Sequence, residues 1–349
     1  MLPDPSAPGI SPAAEFMVTK HEGESDYGAV MRPDAPSALI LGDAGAALAG
    51  MPGGCVQTVV TSPPYWSLRD YGIAGQIGLE ATVGEFIDVL ADVFDGVWRV
   101  LRADGTLWLN IGDSYTSGGR TWRAPDRKNP ARAMSVRPPT PHGLKSKDLI
   151  GVPWRLAFTL QERGWYLRSD IIWNKPNCQP ESVSDRPTRS HEYLFLLSKS
   201  ERYRYDVTSV PGPNGRRLRS VWDLNTQPCA EASGHFATFP AALAEPCIRI
   251  ASSPGDLVLD PFAGSGTTCL SAGRLGRRFA GIELNPGYLE IARSRLLRGG
   301  FTEVDPDRIG QHGSRPGAIA ADRAAADRAA GERAAGVRAA GEWASGERE

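Results

Sequence analysis

Leu257-Val-Leu-Asp-Pro-Phe-Ala-Gly-Ser-Gly-Thr-Thr268 is the stretch that decides the fold. Three apolar residues and an acid read as the end of a buried strand, Leu257 to Asp260. Pro261 and the Gly264-x-Gly266 pair then make a turn, and the threonines open a helix. Gly264 and Gly266 let backbone approach a ligand closely, and a helix start such as Thr267 presents free N–H groups. No Gly-Lys-Ser/Thr follows, so this is not a triphosphate-gripping loop. Glu283 ends the next strand, Phe279 to Glu283. It lies near the offset of about 20 residues at which a carboxylate holds ribose hydroxyls in doubly wound nucleotide sites. Asp260, just before the glycines, would repel a pyrophosphate but suits a cationic, phosphate-free nucleoside with an amino acid tail. That description fits S-adenosylmethionine better than NAD or ATP.

Strands and helices alternate outward from this point. Residues 1–36, rich in Pro, Ala, Gly and Glu without a period, are expected to be disordered. Order is expected to begin with a strand at Ser37 that ends in Gly42-Asp43. A short helix follows at Ala46–Met51, then a strand from Val56 into Ser62. Residues 82–101 carry Phe86, Val89, Leu90, Val93, Val97 and Val100 at helical spacing, and Gly105 closes that helix. Further strands are expected at Thr106–Ile111, Tyr166–Trp173 and Tyr193–Leu197, with helices at Pro153–Arg163, Pro240–Ala251 and one ending at Leu297. The fold class is α/β, a mainly parallel sheet with helices on both faces. One catalytic domain spans 37–300. Residues 301–349 decay into five-residue Ala/Arg/Gly/Glu units and read as a solvated tail.

The 349 residues are 41% hydrophobic and 23% charged with a net charge of −1, ordinary for a globular protein and silent about a polyanion partner. Five scattered cysteines, never spaced C-x-x-C, point to a reducing cytoplasm and to neither a zinc site nor a disulfide framework. No apolar run nears the roughly 20 residues that span a bilayer, so no membrane association is expected.

The second informative stretch is Thr61-Ser-Pro-Pro-Tyr-Trp66. Consecutive prolines cannot continue a sheet, so the strand stops in a rigid turn that offers acceptors and no donors of its own. Such a wall beside an aromatic ring suits a planar amine. Taken with DPFAGSGTT (260–268), TSPPY (61–65) resembles the DNA methyltransferases that alkylate N4 of cytosine or N6 of adenine. RSDIIWNKPN (168–177), EYLFLLSKS (192–200), HFATFP (235–240) and GIELNPGY (281–288) are similar to that family's successive blocks. The turn precedes the cofactor loop, as in the family's permuted β group. Ser62 in place of Asp resembles the N4-cytosine signature.

The resemblance implies a Rossmann-like fold with circularly permuted motif order, S-adenosyl-L-methionine as cofactor and double-stranded DNA as substrate. It implies a restriction-modification or phage modification enzyme, any cognate restriction endonuclease being a separate protein. Hydrogen bonds from the target amine to the Ser62 hydroxyl and Pro63 carbonyl would turn its lone pair toward the methyl group. Pro64 keeps that wall rigid, and Tyr65 would stack on a base swung out of the duplex. Trp66 extends this surface or sits in the core. For the cofactor, Asp260, Phe262, Gly264, Gly266, Thr267 and Glu283 are the candidates. Phe239 and Pro240 match the block near the methionine part, His235 is a loop residue beside them, and Asp43 either lies near the adenine or makes a simple turn.

Two basic regions are the DNA-facing candidates: the 113–147 insertion, with Arg120, Arg123, Arg127 and Lys128, and the 201–234 target-recognition region, with Arg216, Arg217 and Arg219. An N6-adenine enzyme is the nearest rival. A protein-glutamine methyltransferase, which also uses a Pro-Pro-Tyr turn, is disfavoured by motif order and by the basic insertions.

Overall fold

The computed structural model describes residues 15–21, 25–117, 122, 138–227 and 238–306. Its strands are β1 (Glu15–Lys20), β2 (Ser37–Leu41), β3 (Val56–Thr61), β4 (Leu101–Ile111), β5 (Tyr166–Asn174), β6 (His191–Ser198), β7 (Val221–Asp223), β8 (Leu257–Asp260), β9 (Arg278–Glu283) and β10 (Thr302–Glu303). They join in one sheet of order β10-β1-β2-β9-β8-β3-β4-β6-β5-β7. Only β6 runs against its neighbours β4 and β5. Every residue of β3 and of β8 is buried, as expected for central parallel strands covered on both faces.

The helices are α1 (Ala44–Ala49), α2 (Val83–Val100), α3 (Val152–Glu162), α4 (Ala241–Ala251), α5 (Thr267–Arg274) and α6 (Pro286–Arg298). α1 and α3 pack against α2, while α4 and α6 pack against α5. The α4–α6 group closes a core of Leu243, Ile248, Ala272 and Leu296 against Val60, Trp108 and Phe279 of the sheet. α2 starts at a capping box in which the Glu85 N–H donates to Thr82 Oγ1 and the Thr82 N–H to the Glu85 carboxylate. Its buried stripe holds Phe86, Leu90, Val93, Val97 and Val100 as expected, but Ile87 and Phe94 face inward and Val89 is exposed. The chain enters β4 directly at Leu101, so Gly105 lies within that strand and does not close the helix.

Two expectations about the ends of the domain are corrected. Residues 15–20 form β1, which pairs parallel to β2 and buries Phe16 and Met17 completely; Tyr27 and Met31 are buried as well. The segment is therefore not disordered throughout 1–36, because its few apolar residues find partners on β2 and β10 that are remote in sequence. At the other end, order continues past 300: Phe301 is buried and β10 pairs with β1. The 201–234 region contributes β7 to the sheet, parallel to β5. Its Tyr203 and Leu218 pack on the core and Tyr205 stacks on Trp108. The units beyond 306 lie outside the described residues.

Candidate active site

All strands except β6 run the same way, so the loops after β2, β3, β8 and β9 emerge on one edge of the sheet. There they line a single cavity, as the rule for open α/β sheets requires. Ser62, Pro63, Pro64 and Tyr65 line it from β3, Asp43 from β2, and Phe262, Gly264 and Thr267 from β8. Glu283 and Asn285 line it from β9, and Phe239 from the approach to α4. The two stretches read from the sequence, almost two hundred residues apart, thus share one opening.

The joint between them is Asp260. Its carboxylate is 1% exposed and does not line the cavity. Oδ1 accepts from Thr61 Oγ1 at 2.6 Å and from the Phe262 N–H at 3.1 Å. Thr268 Oγ1 adds a bond to the Val60 carbonyl at 3.0 Å. Burial pushes the Asp260 carboxyl up to about 6. The sequence placed this acid beside the cofactor; the structure makes it a brace between the Ser62–Tyr65 turn and the glycine loop.

Glu283 does face the cavity. Its Oε2 accepts from the Gly264 N–H and its Oε1 from the Asn285 N–H, both at 2.8 Å. A carboxylate has about four acceptor sites, so two remain for a vicinal pair of hydroxyls. Burial, with a contribution from the Asp260 charge, raises the Glu283 carboxyl to about 7.

The glycines divide their work. Gly264, at φ 52°, has room around it and offers its N–H to Glu283. Gly266, at φ 76°, does not line the cavity: a Cβ there would meet that of Ala292 at 2.8 Å, so it serves the close packing of α5 on α6. Pro240 likewise stays out of the lining and forms the N-cap of α4. Asp43 lines the cavity, and its Oδ1 caps α1 by accepting from the Ala46 N–H at 2.9 Å.

On the proline turn, Ser62 Oγ donates to the Tyr65 hydroxyl at 3.3 Å, and that hydroxyl donates to Glu192 Oε2 at 2.7 Å. The other Glu192 oxygen is paired with Lys175, whose ammonium sits 4.1 Å from the centre of the Trp173 ring. Burial, then the Glu192 charge, pushes the Tyr65 phenol well above its ordinary value. Trp66 is buried, its indole N–H donating to the Glu80 carbonyl at 3.0 Å, so it belongs to the core.

Sequence reasoning missed the loop after the turn. Leu68, Arg69, Tyr71 and Gln76 line the cavity, and the Tyr71 ring meets Tyr288 edge-on at 5.8 Å. Gln76 braces the loop, its Oε1 accepting from the Tyr71 N–H and its Nε2 donating to the Arg69 carbonyl. It also missed Glu192 and Lys175, although both fall inside the blocks at 168–177 and 192–200.

Arg120, Arg123, Arg127, Lys128 and His235 lie outside the described residues. Arg216, Arg217 and Arg219 are exposed, but they precede β7, which runs toward the cavity edge; the structure does not bring them to the cavity. Arg69 is a basic residue of the cavity lining, whereas Lys175 and Arg189 are largely buried and paired with Glu192 and Asp113. Among the described residues no cluster of His, Cys, Asp or Glu could hold a metal ion, and no helix is long and apolar enough to cross a membrane.

Comparison with known proteins agrees with this geometry. Residues 56–294 match the model of a DNA methylase family whose members are N6 or N4 methyltransferases. The chain is 60% identical over 262 residues to the Type II methyltransferase M.Cfr9I of Citrobacter freundii, covering 74% of this chain and 87% of that one. It is 59% identical over 266 residues to the Type II methyltransferase M.SmaI of Serratia marcescens, covering 74% and 90%. Among solved structures it resembles a putative DNA modification methylase of Thermus thermophilus, TTHA0409, determined in complex with S-adenosyl-L-methionine. There the TM-score is 0.54 and the identity 29%, over 77% of this chain and 98% of that one.

Proposed function

The chain belongs to the N6/N4 DNA methylase family, and from that premise we propose that it is the site-specific DNA methyltransferase of a restriction-modification system. On this reading it works in the cytoplasm, uses S-adenosyl-L-methionine and modifies N4 of cytosine, while any cognate endonuclease is a separate protein. One observation carries the proposal: the Ser62–Tyr65 turn and the Glu283–Gly264 pair open into the same cavity. An amine-holding wall and a ribose-holding carboxylate therefore face each other across one space.

The residues present fit the cofactor. Glu283 has two acceptor positions left for the ribose hydroxyls, and Gly264 lets backbone come close. Phe239, Phe262, Tyr71 and Tyr288 supply apolar and aromatic surface around them. When bound, its sulfonium supplies an electrophilic methyl group. Ser62 Oγ donates its proton to Tyr65, so its lone pairs are left for an N–H of the target amine. With the Pro63 carbonyl as second acceptor, the amine nitrogen is held with its lone pair free to react. Ser62, a neutral hydroxyl where N6-adenine enzymes commonly carry Asp, favours cytosine. Arg69, which lines the cavity beside the turn, supplies positive charge for the DNA backbone.

The test is direct. The protein is incubated with double-stranded DNA and methyl-labelled S-adenosyl-L-methionine, the DNA is digested to nucleosides, and the labelled nucleoside is identified. Label in the N4-methylated deoxycytidine is the expected result. Label in the N6-methylated deoxyadenosine would overturn the base, and DNA without label would overturn the activity.

A further inference from the structure

The polar side chains behind the catalytic turn form one continuous, directed path. Ser62 Oγ donates to Tyr65 Oη at 3.3 Å, Tyr65 Oη donates to Glu192 Oε2 at 2.7 Å, and Glu192 Oε1 is paired with Lys175 Nζ. Both O–H bonds point away from the cavity and toward the carboxylate. The path is largely closed to water, the Glu192 and Lys175 side chains being only 17% and 16% exposed. Gly112 packs against it closely enough that a Cβ there would stand 2.7 Å from Tyr65 Cε2.

We propose that Glu192, acting through Tyr65 and Ser62, is the positioning residue that takes up the proton released by the target amine. The inference rests on the reading that Ser62 holds that amine. Methylation leaves the nitrogen with one bond too many. As the N–C bond forms from the amine lone pair, the S–C bond breaks with its electron pair left on sulfur, and the nitrogen carries a surplus proton. That proton moves to Ser62 Oγ while the Ser62 proton moves to Tyr65 Oη and the Tyr65 proton to Glu192 Oε2. Ser62 and Tyr65 end as they began, and Glu192 becomes a neutral carboxylic acid.

The surroundings suit this role. Tyr65 is too weak an acid in this site to rest as a phenolate, so it passes a proton on and does not store one. Its other acceptor, Asn110 Oδ1 at 3.5 Å, is an amide and cannot hold a proton at neutral pH. The groups facing Glu192 are Tyr65 from the turn and Lys175 from the end of β5. On its own strand burial holds the His191 imidazole below its ordinary value, so nearby Arg189, itself paired with Asp113, is the charged neighbour on that side; Asn110 of β4 and Gly112 just after it face the path and do not titrate. The Lys175 ammonium is ion-paired with the Glu192 carboxylate.

Glu192→Gln in the full chain is the discriminating variant. Its amide oxygen can still accept from Tyr65, so the ring stays in place, but it cannot take the proton. Total methyl label entering DNA in a single turnover is measured alongside equilibrium binding of S-adenosyl-L-methionine and of duplex DNA. Infrared difference spectra of the product complex are recorded as well. The wild-type product complex is expected to show a new carboxylic acid carbonyl band. Glu192→Gln is expected to lose at least about 100-fold in rate, the low side of what proton-transfer groups contribute. It should also lose the infrared band while both binding affinities hold. Tyr65→Phe, which keeps the ring and removes the relay hydroxyl, should show the same pattern and serves if the first variant does not fold. Wild-type rate in both variants would overturn the proposal, as would the same infrared band in Glu192→Gln. Label in adenine combined with the expected variant pattern corrects the base and supports the relay. A wild type that labels no DNA overturns the relay together with the reading beneath it.

Discussion

Thr61→Val tests the brace between the two halves of the site. The substitution keeps side-chain shape and removes the hydroxyl that donates to Asp260 Oδ1 at 2.6 Å, at a position with no exposed surface. Asp260 has its carboxyl raised from 3.8 to about 6 by burial, with the Thr61 bond opposing that rise. The sign follows from linkage. A carboxyl raised on folding contributes stability in full below its unfolded value, and that contribution is lost as pH climbs through the folded value. Here the loss amounts to about 3 kcal/mol between pH 3.8 and about 6, at 1.36 kcal/mol per unit. Without Thr61 the folded value rises further, so the variant continues to lose stability above pH 6 where the wild type has levelled off. At pH 5, where the acid is mostly neutral, the lost bond is an ordinary one of about 1 kcal/mol; at pH 8 it is a bond to a charge, about 1.5–3 kcal/mol. Calorimetric unfolding should therefore show Tm falling by about 2 °C at pH 5 and about 3–6 °C at pH 8 for a chain of this size. An equal decrement at the two pH values would refute the assignment of Asp260 as a buried, partly protonated brace. So would a variant as stable as wild type at pH 8.

Three further outcomes are expected. Glu283 is raised to about 7 by burial, and ribose hydroxyls donate best to its ionised form. Cofactor affinity measured by calorimetry should therefore rise as pH climbs through about 7, with the nearby Asp260, Tyr71 and Tyr288 the other titratable groups facing it. Glu283→Gln should flatten that profile and weaken affinity about 10- to 100-fold, the cost of about 1.5–3 kcal/mol for hydrogen bonds to a charge; a profile unchanged in the variant would remove Glu283 from the ribose site. Gly112→Ala should push the Tyr65 ring off its seat, because the added Cβ would meet Cε2 at 2.7 Å and Glu192 at 3.3 Å. Turnover is expected to fall about tenfold or more while cofactor affinity holds, and the reverse pattern would place Tyr65 with the cofactor. Arg69→Ala should reduce the salt dependence of DNA binding by about one phosphate contact, whereas Arg216→Ala, behind the cavity edge, should leave it unchanged. Equal effects from the two would mean that the DNA covers both faces.

The elements legible in the sequence are those whose signals are local. Leu257–Asp260 and the helix from Thr267 follow from an apolar run, a proline-glycine turn and a helix start within a few residues of one another, and the structure places them there. The Ser62–Tyr65 turn and Glu283 were legible for the same reason, since strand ends in a parallel sheet all deliver their residues to one edge. β1, β10 and β7 were not, because such short strands carry little pattern of their own and exist through partners far along the chain.

Local signals along the chain were enough to set the central sheet, the order of its motifs, and the Ser62–Tyr65 turn and Glu283 at the ends of their strands. What those residues touch emerged only once the strands were side by side. Packing withdrew Asp260 and Gly266 from the cavity, one to brace Thr61 and the other to admit Ala292. It brought Glu192 and Lys175 to the back of the turn and wrapped Tyr71 around to Tyr288. The reason is physical: periodicity and turn chemistry act between neighbours in the chain. The partner of a buried acid or hydroxyl is set by which strands are adjacent, and β3 meets β8 and β4 meets β6 across long separations in sequence.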